Sequence, residues 1–128
     1  MNVFEAVEEF HKKFGVHWHK KPELLNEHLF DVRSKFLGEE LNEFVAAGMS
    51  GDLAGSLDAM IDIIYVAAGT LHLMGFSAEQ QTEAFRRVHE ANMKKRKARS
   101  EKESKRGTLF DVVKPAGWQP PNLEDLCR

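Results

Sequence analysis

Apolar residues recur at Val3, Val7, Phe10 and Phe14 in steps of four, three and four, which predicts an amphipathic helix over residues 2–14. Gly15 ends it. In the loop GVHWHKKP (15–22) two histidines flank Trp18, and Pro22 suits the first turn of a second helix. That helix is expected over 23–47, with Leu25, Leu29, Val32 and Phe36 along one face. Gly48, Ser50 and Gly51 break it, and Asp52 is placed to cap a third helix over 52–74. From Leu57 to Met74 this third helix is apolar on every side except at Asp58, Asp62, Tyr65, Thr70 and His72. Its uninterrupted apolar run is shorter than the about 20 residues of a membrane span. No membrane is expected, and a helix of this kind belongs at the centre of a bundle or beneath a second subunit.

Gly75 closes the third helix, and Ser77 with Gln80 forms a capping-box pair for a fourth over 77–98. Phe85 and Val88 are expected to face the core. The charge run KKRKARSEKESKR (94–106) reads as a solvated helix end and linker. Beyond it lies a tail with three of the four prolines and Trp118, expected to be irregular but locally packed. The pattern gives an all-α, four-helix bundle-type fold: one domain over 1–128, with a helical core at 2–98 and a basic linker and tail at 99–128.

Composition sharpens this outline. With 128 residues, 42% hydrophobic and 30% charged, the chain suits one compact soluble domain and excludes a disordered chain or a two-domain enzyme. Cys127 is the single cysteine, so an internal disulfide and a Cys/His zinc cluster are excluded and a reducing cytoplasm is expected. The start of the sequence has no basic stretch followed by an apolar run, so no signal peptide is expected. The net charge of −2 divides unevenly. Residues 1–93 hold 8 Lys+Arg against 15 Asp+Glu, and residues 94–128 hold 10 against 5. An acidic body with a basic tail is not the footprint of a nucleic-acid binder, and no nucleic-acid partner is expected.

The acidic body carries the candidate chemistry. Glu40 and Glu43 lie about 60° apart around the second helix, on its apolar face, together with Arg33. Glu39 sits at the edge of that face. Asp58 and Asp62, one turn apart, occupy a third helix with almost no polar side. Carboxylates at such positions need a cation, a proton or strong donors. Either a metal holds them, or Arg33, histidines and a helix N-terminus satisfy them as structural pairs; four acids from two adjacent helices favour the metal. Oxygen ligands without His or Cys suit Mg²⁺, with Mn²⁺ the alternative. A di-iron site needs Glu-x-x-His on two helices, and only Glu8 to His11 has that spacing. On the fourth helix Asn92 and Lys95 continue the stripe of Phe85 and Val88, where an amide and an ammonium can serve phosphate oxygens. The alternative is a lysine snorkelling from a helix end.

Four blocks, EELNEF (39–44), DAMIDIIYVAAGTLHLMGF (58–76), VHEANMKK (88–95) and KPAGWQPPNLEDL (114–126), resemble the all-α nucleotide pyrophosphohydrolases. More narrowly they resemble the phosphoribosyl-ATP pyrophosphohydrolase-like branch, related to MazG and the dimeric dUTPases. The resemblance runs from about Phe10 to Leu126. It implies that an ExxE, here Glu40 and Glu43, and an ExxD on the next helix, ending at Asp62, bind Mg²⁺ that holds a triphosphate. The Glu of that second motif falls on Ala59, and Asp58 is the neighbouring acid that stands in for it. The resemblance also implies that Asn92 and Lys95 contact phosphate. A lysine often found near the position of Asp111 is absent, and Lys114 is a weaker substitute.

The reaction so implied is hydrolysis of a nucleoside triphosphate, ribo or deoxy, to the monophosphate and pyrophosphate, with Glu39 as general base or else a plain surface acid. Arg33 is expected in a structural role. His17, Trp18 and His19 offer either a stacking aromatic for a nucleobase or a packed Trp between surface histidines. Tyr65 either reaches the site or fills the core. A homodimer or homotetramer is expected. Two further classes remain: a phosphoribosyl-nucleotide pyrophosphohydrolase, and a non-catalytic helical dimerisation module, which Ala59 favours.

Overall fold

The computed structural model of the chain describes residues 1–16 and 21–128. His17, Trp18 and His19 lie outside them. The first helix, α1 (Val3–Lys13), begins where Asn2 accepts a hydrogen bond from the Glu5 N–H at 2.8 Å, and the Glu5 carboxylate accepts one from the Asn2 N–H at 3.2 Å. Val7 is its buried apolar anchor.

The second helix starts later than the sequence suggests. It is α2 (Glu27–Met49), capped by the Asn26 side chain, which accepts from the Leu29 N–H at 2.8 Å. Pro22 is outside the helix, because the Glu23 N–H is taken by the Met74 carbonyl at 2.9 Å. Gly75, at φ +94°, sits against the Lys21–Pro22 backbone, where any side chain would collide with the Lys21 carbonyl. A side-chain cap at Asn26 and a tertiary bond at Glu23 together outweigh the local preference of proline for a first helical turn.

The third helix, α3 (Leu53–Leu73), is capped by Asp52, whose carboxylate accepts from the Gly55 N–H at 2.9 Å. It packs against both α2 and α1. Its 21 residues are long and apolar enough to cross a membrane by length and composition alone, with Asp58 and Asp62 interrupting the apolar run. The central helix of a bundle has the same composition, and α3 carries acids and helical neighbours as such a helix does. It is nevertheless incompletely covered: Leu57 is 65% exposed and Ile61 51%.

The fourth helix, α4 (Ala78–Met93), opens on the expected capping box. The Ser77 N–H donates to the Gln80 Oε1 at 2.9 Å, and the Gln80 N–H donates to the Ser77 hydroxyl at 3.1 Å. The helix stops at Met93, not near Ala98. Arg96–Lys97 instead forms a short strand, β1, antiparallel to β2 (Val112–Val113), with Arg96 opposite Val113 and Lys97 opposite Val112. Most of the charge run is exposed, as expected of a solvated segment, but it is not without local structure. Arg96 pairs with Glu103 at 2.8 Å, Arg106 with Asp111 at 2.9 Å, and the buried Ser104 hydroxyl donates to Asp111 at 2.6 Å. Two of its cations, Arg96 and Arg106, are thus paired with acids within and just beyond the run. Phe85, 62% exposed, and Val88 are not core residues, so the inward stripe expected on this helix is absent. A 3-10 turn, Glu124–Cys127, ends the fold.

Among the described residues the result is all-α apart from one two-residue strand pair. The chain divides into two compact units, Met1–Gln81 with Cys127–Arg128, and Thr82–Leu126.

Candidate metal centre

In the first unit the buried residue of α2 is an acid, Glu40, while Phe30 and Leu41 on the same helix are exposed. Side-chain oxygens of Glu40, Glu43 and Asp62 all lie within 4.8 Å of one another. The i, i+3 spacing on α2 aligns the two glutamates, and the packing of α3 on α2 brings up Asp62. Asp58, one turn earlier on α3, is exposed and does not join this trio, although its charge is felt at Glu40. Glu39 is exposed beside the cluster. Ala59, at the position where the resembling motif carries Glu, is buried.

No described Lys, Arg or His forms an ion pair with any of the three clustered acids. Arg33, the cation on the same helix face, is committed elsewhere: its Nε donates to the Thr70 hydroxyl at 3.0 Å and its Nη2 to the Val66 carbonyl at 2.9 Å. Its structural role is thus to tie α2 to α3, and burial lowers its pKa. The Glu40 Oε2 is buried with no hydrogen-bond partner among the described residues. Burial pushes the Glu40 carboxyl above the ordinary glutamate range, and a side-chain hydrogen bond with Glu43 and then the Glu43, Asp62 and Asp58 charges push it further the same way. Three converging carboxylates, one with an orphaned buried oxygen, form the hard-oxygen donor set that a divalent cation of the Mg²⁺ type takes. The residues present fit such an ion.

The same unit contains two groups that spacing alone does not reveal. A cleft of about 270 Å³ runs from Glu40 and Asp62 to Phe10, Phe36 and Tyr65. Tyr65 thus reaches the site. Phe10 and Phe36 lie on apolar helical stripes, so the sequence assigns them to packing, and nothing in the pattern separates them from core positions. Secondly, His11, buried on α1, meets His72 of α3 with their Nδ1 atoms 3.0 Å apart, and Glu8 lies 3.8 Å from His72 Nε2. The pairing of Glu8 and His11 on one helix therefore serves a packed histidine contact.

Asn92 and Lys95 belong to the second unit. Asn92 is exposed near the end of α4. The Lys95 ammonium lies 5.1 Å from the centre of the Trp118 ring, the Lys114 ammonium lies at the same distance, and the indole N–H donates to the Ala91 carbonyl at 2.7 Å. Both lysines are thereby held on the tail that the sequence predicts to be locally packed. Arg87 secures the rest of that tail through Asp125 at 2.6 Å and the Asn122 carbonyl at 3.0 Å.

The family model for phosphoribosyl-ATP pyrophosphohydrolase matches residues 7–92, a stretch that takes in the later part of α1, all of α2 and α3 and nearly all of α4. It includes Glu40, Glu43, Asp58 and Asp62, and stops before Lys95. No curated protein matches the chain.

Proposed function

The chain belongs to the phosphoribosyl-ATP pyrophosphohydrolase family, within the all-α MazG-like superfamily, and on that premise we propose that it is a Mg²⁺-dependent nucleoside triphosphate pyrophosphohydrolase. The observation that supports this most is the trio Glu40, Glu43 and Asp62, to which no described cation is paired, with the buried Glu40 oxygen that has no described hydrogen-bond partner. In this reading the three carboxylates hold the cation, and Asp58 adds negative charge beside them. A divalent cation bound there supplies charge for phosphate oxygens and lowers the pKa of water. Glu39, exposed next to the cluster, takes the proton of the attacking water as the bond between the α- and β-phosphates opens. Pyrophosphate leaves, and the nucleoside monophosphate remains. Asn92 and Lys95 serve phosphate oxygens. Mn²⁺ fits the same donors.

A second substrate reading, phosphoribosyl-ATP, is favoured by the family match itself. Pyrophosphate release in Mg²⁺ from a panel of NTPs, dNTPs and phosphoribosyl-ATP separates the two. Release from NTPs or dNTPs that Glu43→Ala abolishes supports the main reading, whereas release from phosphoribosyl-ATP alone replaces it. No release from any substrate, with wild type and Glu43→Ala indistinguishable, leaves only a non-catalytic helical module.

The working form in this proposal is a homo-oligomer, a dimer at least. Phe30 and Val45 of α2 and Leu57, Ile61 and Ile64 of α3 are all about half exposed or more, on helices whose partners within the chain leave them open. Sedimentation at micromolar concentration tests it, and a monomer there rejects it.

A further inference from the structure

The candidate metal centre lies midway along a seam between α2 and α3 whose contacts recur at seven-residue steps. Towards the turn that joins the two helices, Ala47 stands against Gly55, where an added Cβ would come 3.3 Å from the Ala47 Cβ. Seven residues further from that turn on each helix, Glu40 meets Asp62. Seven further again, Arg33 stands against Gly69, where an added Cβ would come 2.9 Å from Arg33 Nη2. The two helices therefore run antiparallel in one register, with the acids about two turns from the close contact on either side.

The acids themselves oppose that register, because like charges without a paired cation repel. The hydrogen bonds at Arg33 oppose the repulsion. Its Nε donates to the Thr70 hydroxyl at 3.0 Å, its Nη2 donates to the Val66 carbonyl at 2.9 Å, and the Thr70 hydroxyl donates to that same carbonyl at 2.7 Å. Val66 and Thr70 lie one and two turns beyond Asp62 on the same face of α3. A planar guanidinium bonded at two points resists both sliding and rotation of one helix on the other, as a single flexible ammonium does not. Among the described residues no ion pair links Arg33 to the acids, so it acts on them through the register.

We propose that Arg33 is a positioning residue for the metal centre. By fastening α2 to Thr70 and Val66 it fixes the spacing of Glu40 and Glu43 against Asp62, and so makes the site prefer Mg²⁺ to Ca²⁺. Mg²⁺ accepts a narrow range of oxygen distances, about 2.0–2.1 Å, whereas Ca²⁺ takes about 2.3–2.6 Å in an adaptable shell. A fixed seam suits the first ion, and a seam free to slide suits the second. This inference rests on the acid trio being the cation site.

The test titrates Mg²⁺ and Ca²⁺ separately into the full chain by calorimetry, for wild type, Arg33→Met, Arg33→Lys and Thr70→Val. Helical circular dichroism and Tm are recorded for each. Both Arg33 variants weaken Mg²⁺ about tenfold or more and Ca²⁺ by no more than about threefold. Thr70→Val shifts the selectivity the same way by a smaller factor. Failure of Arg33→Lys to restore selectivity separates the bonded fork from its charge. If the Arg33 variants lose their helical signal, Gly69→Ala, which crowds Arg33 Nη2 and keeps its charge, carries the test beside Thr70→Val. A merely structural role would lower Tm and weaken the two ions by one factor. The proposal is overturned by that parallel loss, by Arg33→Lys retaining wild-type selectivity, or by variants that bind both ions like wild type. Those outcomes leave the metal centre standing. Wild type that binds neither ion rejects the metal centre, and this inference with it.

Discussion

Two groups of acids in this protein meet opposite fates. In the second unit Glu83 is bonded to Arg86 and Arg87, Glu103 to Arg96 and the Arg99 N–H, and Asp111 to Ser104 and Arg106. Those donors hold the carboxyls of Glu83 and Glu103 down to about 2 and lower that of Asp111. In the first unit Glu40, Glu43 and Asp62 converge with no described cation paired to them, and the Glu40 carboxyl is pushed up. A carboxylate that the fold needs for itself arrives with its donor. A cluster that raises its own members' pKa is an arrangement that folding alone does not reward, so it points to a ligand from outside.

Removing an acid from each group gives the sharpest contrast. Glu43→Ala should lower pyrophosphate release by more than the about 10–100-fold that loss of an outer partner of a metal ligand costs, as measured under saturating Mg²⁺. Activity within threefold of wild type would break the comparison, because the trio would then have no chemical task. Next in size is a thermal effect. Glu40→Gln relieves the repulsion in the metal-free cluster, so in EDTA at pH 7 its Tm should lie several degrees above wild type, while the rise that Mg²⁺ gives the wild type disappears.

The two groups also part with pH. A carboxyl whose folded pKa is raised contributes stability that is complete below the unfolded value, about 4.3, and is lost as pH rises through the folded value. The Tm gap between Glu40→Gln and wild type in EDTA should therefore close as pH falls from 7 towards 4. Glu103 has the opposite sign. Its contribution is present above about 4.3 and lost as pH falls towards about 2. The smallest effect expected is that of Glu103→Gln, which should lower Tm by a few degrees at pH 7 and leave Mg²⁺ affinity unchanged. Calorimetric titration showing weakened Mg²⁺ binding in that variant would show that the two acid groups are not independent.

The acids were legible in the sequence because they break a pattern. Glu40 and Glu43 sit where α2 calls for apolar residues, and Asp62 interrupts a helix with no polar face. Caps were legible for the same local reason, at Asp52 and at Ser77 with Gln80. What stayed hidden depends on partners distant in sequence. Asn26 overrides Pro22 because Glu23 bonds to Met74, 51 residues away. Arg96 and Lys97 of the basic run form a strand against Val112–Val113, 15 or more residues further along the chain. Asp58, one turn from Asp62 on α3, stands exposed outside the trio, and its charge still acts on Glu40. The aromatic cleft had no signature at all, since Phe10 and Phe36 look identical to core residues until their exposure is known.

Trp118 has a practical consequence. Its indole N–H is fixed on the Ala91 carbonyl, and two ammonium groups lie over its ring. The energy of an indole excited state depends on nearby charge, so this side chain is a chromophore under a local electric field set by Lys95 and Lys114. An anion that draws those lysines away alters that field, and the emission colour of Trp118 alters with it. The second unit thus contains its own optical probe, at a position remote in sequence from Glu40 and Glu43.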